Sequence, residues 1–477
     1  MEQGYDQEQT GVADEPMPIG TVTEDYFLPF TVPPGLMPDR QFDGRPARLQ
    51  VHRVQPVYGL GDRPTVRRAV VLIHGRTVPG PVVFDLQDPA TGGVVLNLSV
   101  QRALALKGID TFAPSLLGYG GSTRFDEGLK DPGNASRRGY PTTSPDSPCE
   151  FPEGCDRNNP LATINPLNQQ AKLLPAGGPA GRPLFFRRAH SSNFHFARTD
   201  VWVRDIDQVI DDAIERAQPT DRKVALVGYS LGGQHVGRTL YADNPNELLD
   251  DRDKVIAKVS RVVFLNSLFF PLGPTEEPDP LGLPTFPLTL DDRAASNELW
   301  KPFNAADDST LCTGRVIPNT QQQVWDQTME NDTAGQTWGP PPAWQRGNSG
   351  GLNRSPTFSG YGWNSAVAGQ LRKPTLVMQG LQDGALPLAP GTTPEQHAKA
   401  IYDALPAPPV ENVFNKVLVK VKCASHVLQW EGCTGEHCTP HYETFQNALI
   451  EWITKGTFDG DENGTFTVDE EGDVSKP

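Results

Sequence analysis

Gly228-Tyr229-Ser230-Leu231-Gly232-Gly233 is the segment of this 477-residue chain best equipped for chemistry. It follows an apolar run at residues 224–227 and opens a helical pattern. Small residues flank a serine where a strand turns sharply into a helix, because a Cβ there would collide with the crowded backbone. The turn holds the hydroxyl exposed above the next helix N-terminus, poised for attack on a carbonyl. A serine alone is a poor nucleophile; it needs a base, and the base needs an orienting acid. His426 lies in Ala424-Ser425-His426-Val427, and Asp383 lies in Gly380-Leu381-Gln382-Asp383-Gly384. Each sits just past a strand-like run, in the chain order Ser230, Asp383, His426. The rival acid position, after residues 262–265, holds Asn266, which carries no charge.

The oxyanion formed in acyl transfer needs fixed N–H donors. The Leu231 N–H is expected to be one. The other is expected from the loop after residues 69–73, His74-Gly75-Arg76-Thr77, with the Arg76 N–H chosen over Gly75 or Thr77. Tyr229, His74 and Gly75 are expected to border the substrate, His74 hydrogen-bonding loop backbone and not serving as a base.

These groups need a scaffold. Apolar runs at 69–73, 224–227, 262–265, 375–378 and 417–421, with a strand at 108–113, fit strands buried on both faces. Between them lie helix candidates at 100–106, 200–217, after Ser230, and around Phe445, Leu449, Ile450 and Ile453. Strands alternating with helices imply a mostly parallel sheet covered on both faces. Open sheets of this kind place their sites past the carboxyl ends of the strands.

Composition narrows the function. Lys+Arg is 42 against Asp+Glu 58, a formal net charge of −16. This excludes a general nucleic-acid binder, which needs a basic footprint. Mean hydropathy is −0.44, and no apolar run reaches the roughly 18 residues of a membrane span. The 46 Gly and 46 Pro signal long loops. Cys149, Cys155, Cys312, Cys423, Cys433 and Cys438 include two close pairs, 149/155 and 433/438, suited to disulfides. They lean the expectation towards an extracytoplasmic compartment, although Met1 to Asp6 opens no signal peptide. Cys433, His437, Cys438 and His441 match no standard zinc spacing, so no metal is expected.

The sequence resembles the α/β-hydrolase superfamily. The resemblance rests on Ile73-His74-Gly75, on Phe112-Ala113-Pro114-Ser115 through Gly120, on residues 228–233, on Gly380-x-x-Asp383 and on Ser425-His426. It covers roughly residues 47–123, 199–270 and 372–456. It implies an α/β-hydrolase fold and a hydrolase working through an acyl-enzyme without cofactor. Ser115 stands where the family usually has an acid. A serine nucleophile argues against haloalkane dehalogenase and epoxide hydrolase. The expected activity is hydrolysis of a small-molecule carboxylic ester, bulky or cyclic, with amide or peptide cleavage and a non-catalytic binding module as the alternatives.

The expected organisation is an N-terminal tail over 1–25, a core over 26–123, 199–270 and 372–456, insertions at 124–198 and 271–371, and an acidic tail over 457–477 with at most one stray strand. The second insertion carries Trp300, Trp325, Trp338, Trp344 and Trp363, with Phe303, Phe358 and Tyr361. It is expected to form a lid whose aromatics either receive a bulky apolar group or make the lid's own core. The first carries Arg187, Arg188, His190, His195 and Arg198, a local cationic patch or a set of surface ion pairs.

Overall fold

A computed structural model describes residues 15–37, 42–88, 93–94, 98–125, 199–240, 255–275, 289–303, 312, 314–333, 335–337, 342–356, 361–386, 388–407, 415–433 and 438–476. In chain order the strands are β1 (Gly20–Thr31), β2 (Pro46–Val57), β3 (Arg68–Ile73), β4 (Gln87–Asp88), β5 (Gly93–Val94), β6 (Ile109–Ser115), β7 (Val224–Tyr229) and β8 (Val259–Leu265). They continue with β9 (Thr289–Asp291), β10 (Asn353–Ser355), β11 (Thr375–Gly380), β12 (Lys416–Val421), β13 (Asn463–Val468) and β14 (Val474–Ser475). The helices are α1 (Gly80–Phe84), α2 (Val100–Ala105), α3 (Thr199–Ala217), α4 (Leu231–Thr239), α5 (Arg293–Asn297), α6 (Thr320–Glu330), α7 (Ser365–Ala368), α8 (Pro394–Ala404) and α9 (His441–Lys455).

One ten-stranded sheet runs β1-β2-β6-β3-β7-β8-β11-β12-β13-β14. From β6 to β13 every pairing is parallel, while β1, β2 and β14 join antiparallel. Strand alternation divides the core between two faces. Val71, Ile73, Leu226, Val262, Phe264 and Val377 pack with Trp202, Ile206 and Ile210 of α3 and Ile401 of α8. Val70, Leu72, Val227, Val263, Leu376 and Val419 pack with Leu104 of α2 and Phe445, Leu449 and Trp452 of α9. The runs Ala69–Ile73 of β3, Val224–Val227 of β7 and Leu376–Met378 of β11 are apolar because both their faces are covered.

Both chain ends depart from expectation where they are described. Residues 20–25, assigned to a tail, begin β1, which pairs with β2 along its whole length. Residues 463–468 are β13, in register with β12, and β14 closes that edge. Phe466 and Val468 reach the core while Asn463 stays exposed, an alternation the acidic composition hides. The first insertion lies outside the described residues except 124 and 125, and with it Cys149, Cys155 and the proposed cationic patch. In the second, β9 pairs antiparallel with β10. Trp300 stacks on Trp430 at 5.4 Å and Trp363 on Phe264 at 4.8 Å. With Trp325 and Tyr361 also buried, these aromatics make the insertion's own core and its seam with the sheet; Trp338 and Phe358 lie outside the described residues. Cysteines join as Cys433–Cys438, the expected close pair, and as Cys312–Cys423, which ties the insertion to the chain just before His426.

Candidate active site

The site grows from the carboxyl ends of β3, β7, β8, β11 and β12. Between β7 and α4, Ser230 adopts φ 55°, ψ −123°, a conformation a non-glycine residue holds only when its surroundings enforce it. Its N–H donates to Leu265 O at 2.9 Å, and its carbonyl accepts from Gly233 N and Leu268 N, each at 3.0 Å. A Cβ on Gly228 would lie 2.6 Å from Gly233 Cα, so only glycine lets the turn close. A Cβ on Gly75 would lie 2.7 Å from Ser230 Cβ; that glycine is what brings the loop after β3 against the serine.

The structure brings Ser230, His426 and Asp383 into one hydrogen-bonded run. His426 Nε2 is 2.8 Å from Ser230 Oγ, and His426 Nδ1 is 2.8 Å from Asp383 Oδ2. Asp383 Oδ2 also accepts from Gln379 Nε2 at 3.1 Å, and Oδ1 accepts from the N–H groups of Ala385 and Leu386 at 3.1 and 3.2 Å. Four donors therefore meet the two oxygens of a buried carboxyl group. The arrangement can move a proton from the hydroxyl to the imidazole while stabilising the imidazolium that forms.

Two residues missed as site components hold this half in place. Asn266, at φ 42°, donates through Nδ2 to the carbonyls of His426 and Ser425 at 2.8 and 3.1 Å, and its Oδ1 accepts from Gly380 N at 2.8 Å. It links the strand leading to the acid with the loop bearing the imidazole. Glu431, fully buried, accepts from Ser425 N at 3.1 Å and from His441 Nδ1 at 2.8 Å. That pair uses His441, and the Cys433–Cys438 bond uses the two sulfurs of the apparent metal cluster; His437 lies outside the described residues.

On the other side, Leu231 opens α4 and Arg76 sits in the loop after β3. Neither backbone N–H has a partner among the described residues. Val78 N–H returns to Arg76 O at 2.9 Å, closing a tight turn around Thr77 at φ 71°, a strained geometry. Asn353 of β10 braces it, its Nδ2 donating to Thr77 O at 2.8 Å. The insertion also touches the opposite half, where Gly384 N donates to Lys301 O at 3.3 Å and Arg315 Nη1 to Gly432 O at 3.2 Å.

His74 departs from the substrate-bordering role given to it. Its Nδ1 donates to Gly75 O at 2.6 Å and its Nε2 accepts from Leu116 N at 3.0 Å, which uses both ring nitrogens on backbone. Burial lowers its pKa to about 4, so the ring is neutral. Gly75 does border the serine, and the Tyr229 ring packs 5.1 Å from the His426 ring. Burial pushes the Tyr229 phenol well above its usual range.

A cavity of about 530 Å³ is reached through Leu268, whose N–H donates to Ser230 O; Ser230, His426 and Asp383 are not among the residues that line it. Leu268, Phe269, Phe270, Leu388 and Ala400 line it, with His397 among its few polar groups. Leu268 and Leu388 also pack with Leu231 and Leu386, so apolar surface runs from the start of α4 into the cavity. No sequence signal marked this cavity, because its walls come from two loops more than 100 residues apart.

A strand–Ser–helix turn on a parallel sheet, with an imidazole and a carboxylate delivered from later strands, defines a class of fold. Residues 70–432 match the model of the alpha/beta hydrolase family, well over half of the chain, and the chain belongs to that family. Among solved structures it is similar to a bromoperoxidase from Bacillus anthracis, at 15% identity and TM-score 0.38, covering 86% of this chain and 97% of that one. It is similar also to the esterase EaEST from Exiguobacterium antarcticum, at 10% identity and TM-score 0.37, covering 86% and 96%. A third is the thioesterase domain from the curacin biosynthetic pathway, at 14% identity and TM-score 0.39, covering 91% and 99%. Nothing matches among curated proteins. No helix among the described residues is long and apolar enough to cross a membrane.

Proposed function

We propose that the protein is a serine hydrolase cleaving a carboxylic ester through an acyl-enzyme. The observation that carries this reading is the run from Asp383 through His426 to Ser230, 2.8 Å at each link. Ser230 Oγ attacks the carbonyl carbon and passes its proton to His426 Nε2. The tetrahedral oxyanion is held by the N–H groups of Leu231 and Arg76. As the ester C–O bond breaks, His426 returns the proton to the leaving alkoxide, and the alcohol departs. Water then adds to the acyl-enzyme with His426 again as base, releasing the acid and restoring Ser230. Asp383 fixes the Nδ1–H tautomer throughout. Every part this mechanism requires is a side-chain or backbone group of this chain.

An apolar acyl group as the bound portion of a small-molecule substrate is supported by Leu268, which lines the apolar cavity and donates its N–H to Ser230 O at 3.0 Å. Within the same reading residues 271–371 act as the lid, supported by the contacts of Asn353 and Lys301 with the two halves of the site. Hydrolysis of p-nitrophenyl esters of increasing acyl length, with wild type and Ser230→Ala in parallel, tests it. Turnover lost by at least about a thousandfold in the folded variant is expected. Undiminished turnover in Ser230→Ala overturns the assignment, and faster cleavage of matched amides than esters overturns the ester preference.

A further inference from the structure

The far end of the sheet holds a second cleft, of about 980 Å³, lined by Arg53, Arg63, Arg67, Arg68, Arg216 and Arg222 with few acids. It lies at the amino ends of the parallel strands. Arg68 begins β3 and Ile73 ends it beside the serine loop, a span of about 17 Å at the rise of a strand. The cleft is therefore separate from the catalytic groups.

Two of its cations are neutralised. Arg53 pairs with Asp110 and Glu24, and Arg216 with Asp212 and Glu24. Arg63, Arg67, Arg68 and Arg222 have no carboxylate partner among the described residues; Arg67 has only a 3.4 Å contact to Gln218 Oε1. A smaller cleft of about 340 Å³ shares Arg67 and Arg68 and adds Lys223 and Arg261, against Asp221. Like charges crowd one another here. Burial and, after it, the field of Arg68 lower the Arg261 pKa, while burial and Lys223 lower that of Lys373.

Concentrating unpaired guanidinium groups costs electrostatic free energy, and a chain with 58 acidic residues has ample counter-charge to spare it. A bound multivalent oxyanion removes that cost, since each planar guanidinium fork matches a phosphate or carboxylate. The net charge of −16 selects its size. An extended polyanion would cross the acidic remainder of the surface and be repelled, whereas a short one sits wholly within the local positive field. We propose that this cleft binds a small multivalent oxyanion, of the polyphosphate or polycarboxylate class, through Arg63, Arg67, Arg68 and Arg222.

Calorimetric titration of the full chain at low salt tests the proposal with tripolyphosphate, citrate and heparin in separate arms. Saturable one-to-one binding is expected for tripolyphosphate or citrate, and the tighter of the two identifies the phosphate or the carboxylate source. Binding should weaken at least tenfold in Arg67→Gln/Arg222→Gln and fall as salt rises, with ester turnover unchanged. The exposed loop variant Arg63→Gln supplies a second reading should the double variant fold poorly, with a fewfold loss expected. No saturable binding, equal affinity in the variants, or tighter binding of heparin than of either small anion overturns the proposal.

Discussion

The two halves of the candidate site are held in different ways. On the acid–imidazole half, nearly every polar group is tied more than once. Asp383 has four donors, Asn266 links the ends of β8 and β11 to the His426 loop, and Glu431 and the Cys312–Cys423 bond secure that loop from behind. On the proposed oxyanion half, the N–H groups of Leu231 and Arg76 have no partner among the described residues. The loop is placed by the contact of Gly75 with Ser230, by buried neutral His74, and by one amide from the insertion. A base must keep one tautomer and one direction, and redundancy serves that. An oxyanion hole must leave donors unsatisfied until charge develops, so it is shaped by close approach and strain.

The largest test of this contrast falls on the redundant half. Asp383→Asn keeps the shape but replaces an acceptor facing His426 Nδ1 with an amide that can favour the wrong tautomer. Turnover should fall about 10³- to 10⁴-fold, with circular dichroism unchanged. A loss under tenfold would mean that Asp383 does not orient the imidazole.

The half that holds His74 carries a pH liability. His74 and His235 are buried and neutral, with pKa values lowered to about 4 and about 3 against 6.5 for a free imidazole. Burial is the leading cause for both, and the neighbouring His74 lowers His235 further. The unfolded chain takes up these protons below about pH 6.5 while the folded one resists. Their stabilisation is therefore complete above about pH 6.5 and is lost as pH falls towards 4 and below. His52 has the opposite sign: held between Asp25 and Asp85, its pKa rises to about 9 against the cost of burial, so its stabilisation is present below pH 6.5 and lost as pH rises through 9. Tm should fall between pH 7 and 4.5, and less steeply in His235→Leu. An unchanged slope in that variant would assign the acid sensitivity elsewhere.

Asn266→Ala comes next in size. It leaves Gly380 N–H and the carbonyls of Ser425 and His426 without their partner in a dry site. Stability should drop by about 1–3 kcal/mol, and kcat should fall about ten- to a hundredfold through misplacement of the imidazole while KM changes little. A loss seen in KM alone would show that Asn266 shapes substrate binding and not the position of the base.

How much of this was legible in sequence follows from the same physics. β3, β7, β8, β11 and β12 announce themselves because strands covered on both faces are continuous apolar runs. β1 and β13 do not, because strands at or next to the sheet edge with one wet face alternate polar and apolar residues, and acidic tails share that composition. Ser230 stood out through the glycines that its turn requires. Asp383 and His426 followed from strand order. Asn266, by contrast, was weighed only as a failed acid, and Glu431 carried no signal, because their partners lie on strands or loops distant in sequence. His74 was expected both to border the substrate and to hydrogen-bond loop backbone; the structure adds that both ring nitrogens are used on backbone, at Gly75 O and Leu116 N.

The smallest expected effect probes the hydrogen bond by which β10 braces the proposed oxyanion loop, beside the Arg76–Asp291 ion pair at 3.9 Å from β9. Asn353→Ala removes the amide that holds Thr77 O at 2.8 Å, while Gly75, the helix start at Leu231 and the acid–imidazole half stay as they are. Thr77 keeps its strained φ of 71°, so without the brace the turn has reason to relax and carry the Arg76 N–H with it. The loss of one exposed-to-partly-buried hydrogen bond costs about 1 kcal/mol, which sets the scale of the loss in kcat at about threefold to tenfold. It should appear in kcat and spare KM, because a donor aimed at the oxyanion acts on the transition state. Asn353→Asp, which lacks the donor, should match Ala, whereas Asn353→Gln should recover part of the rate. Equal kcat in all three variants would mean that the insertion only covers this half of the site and does not help set its geometry.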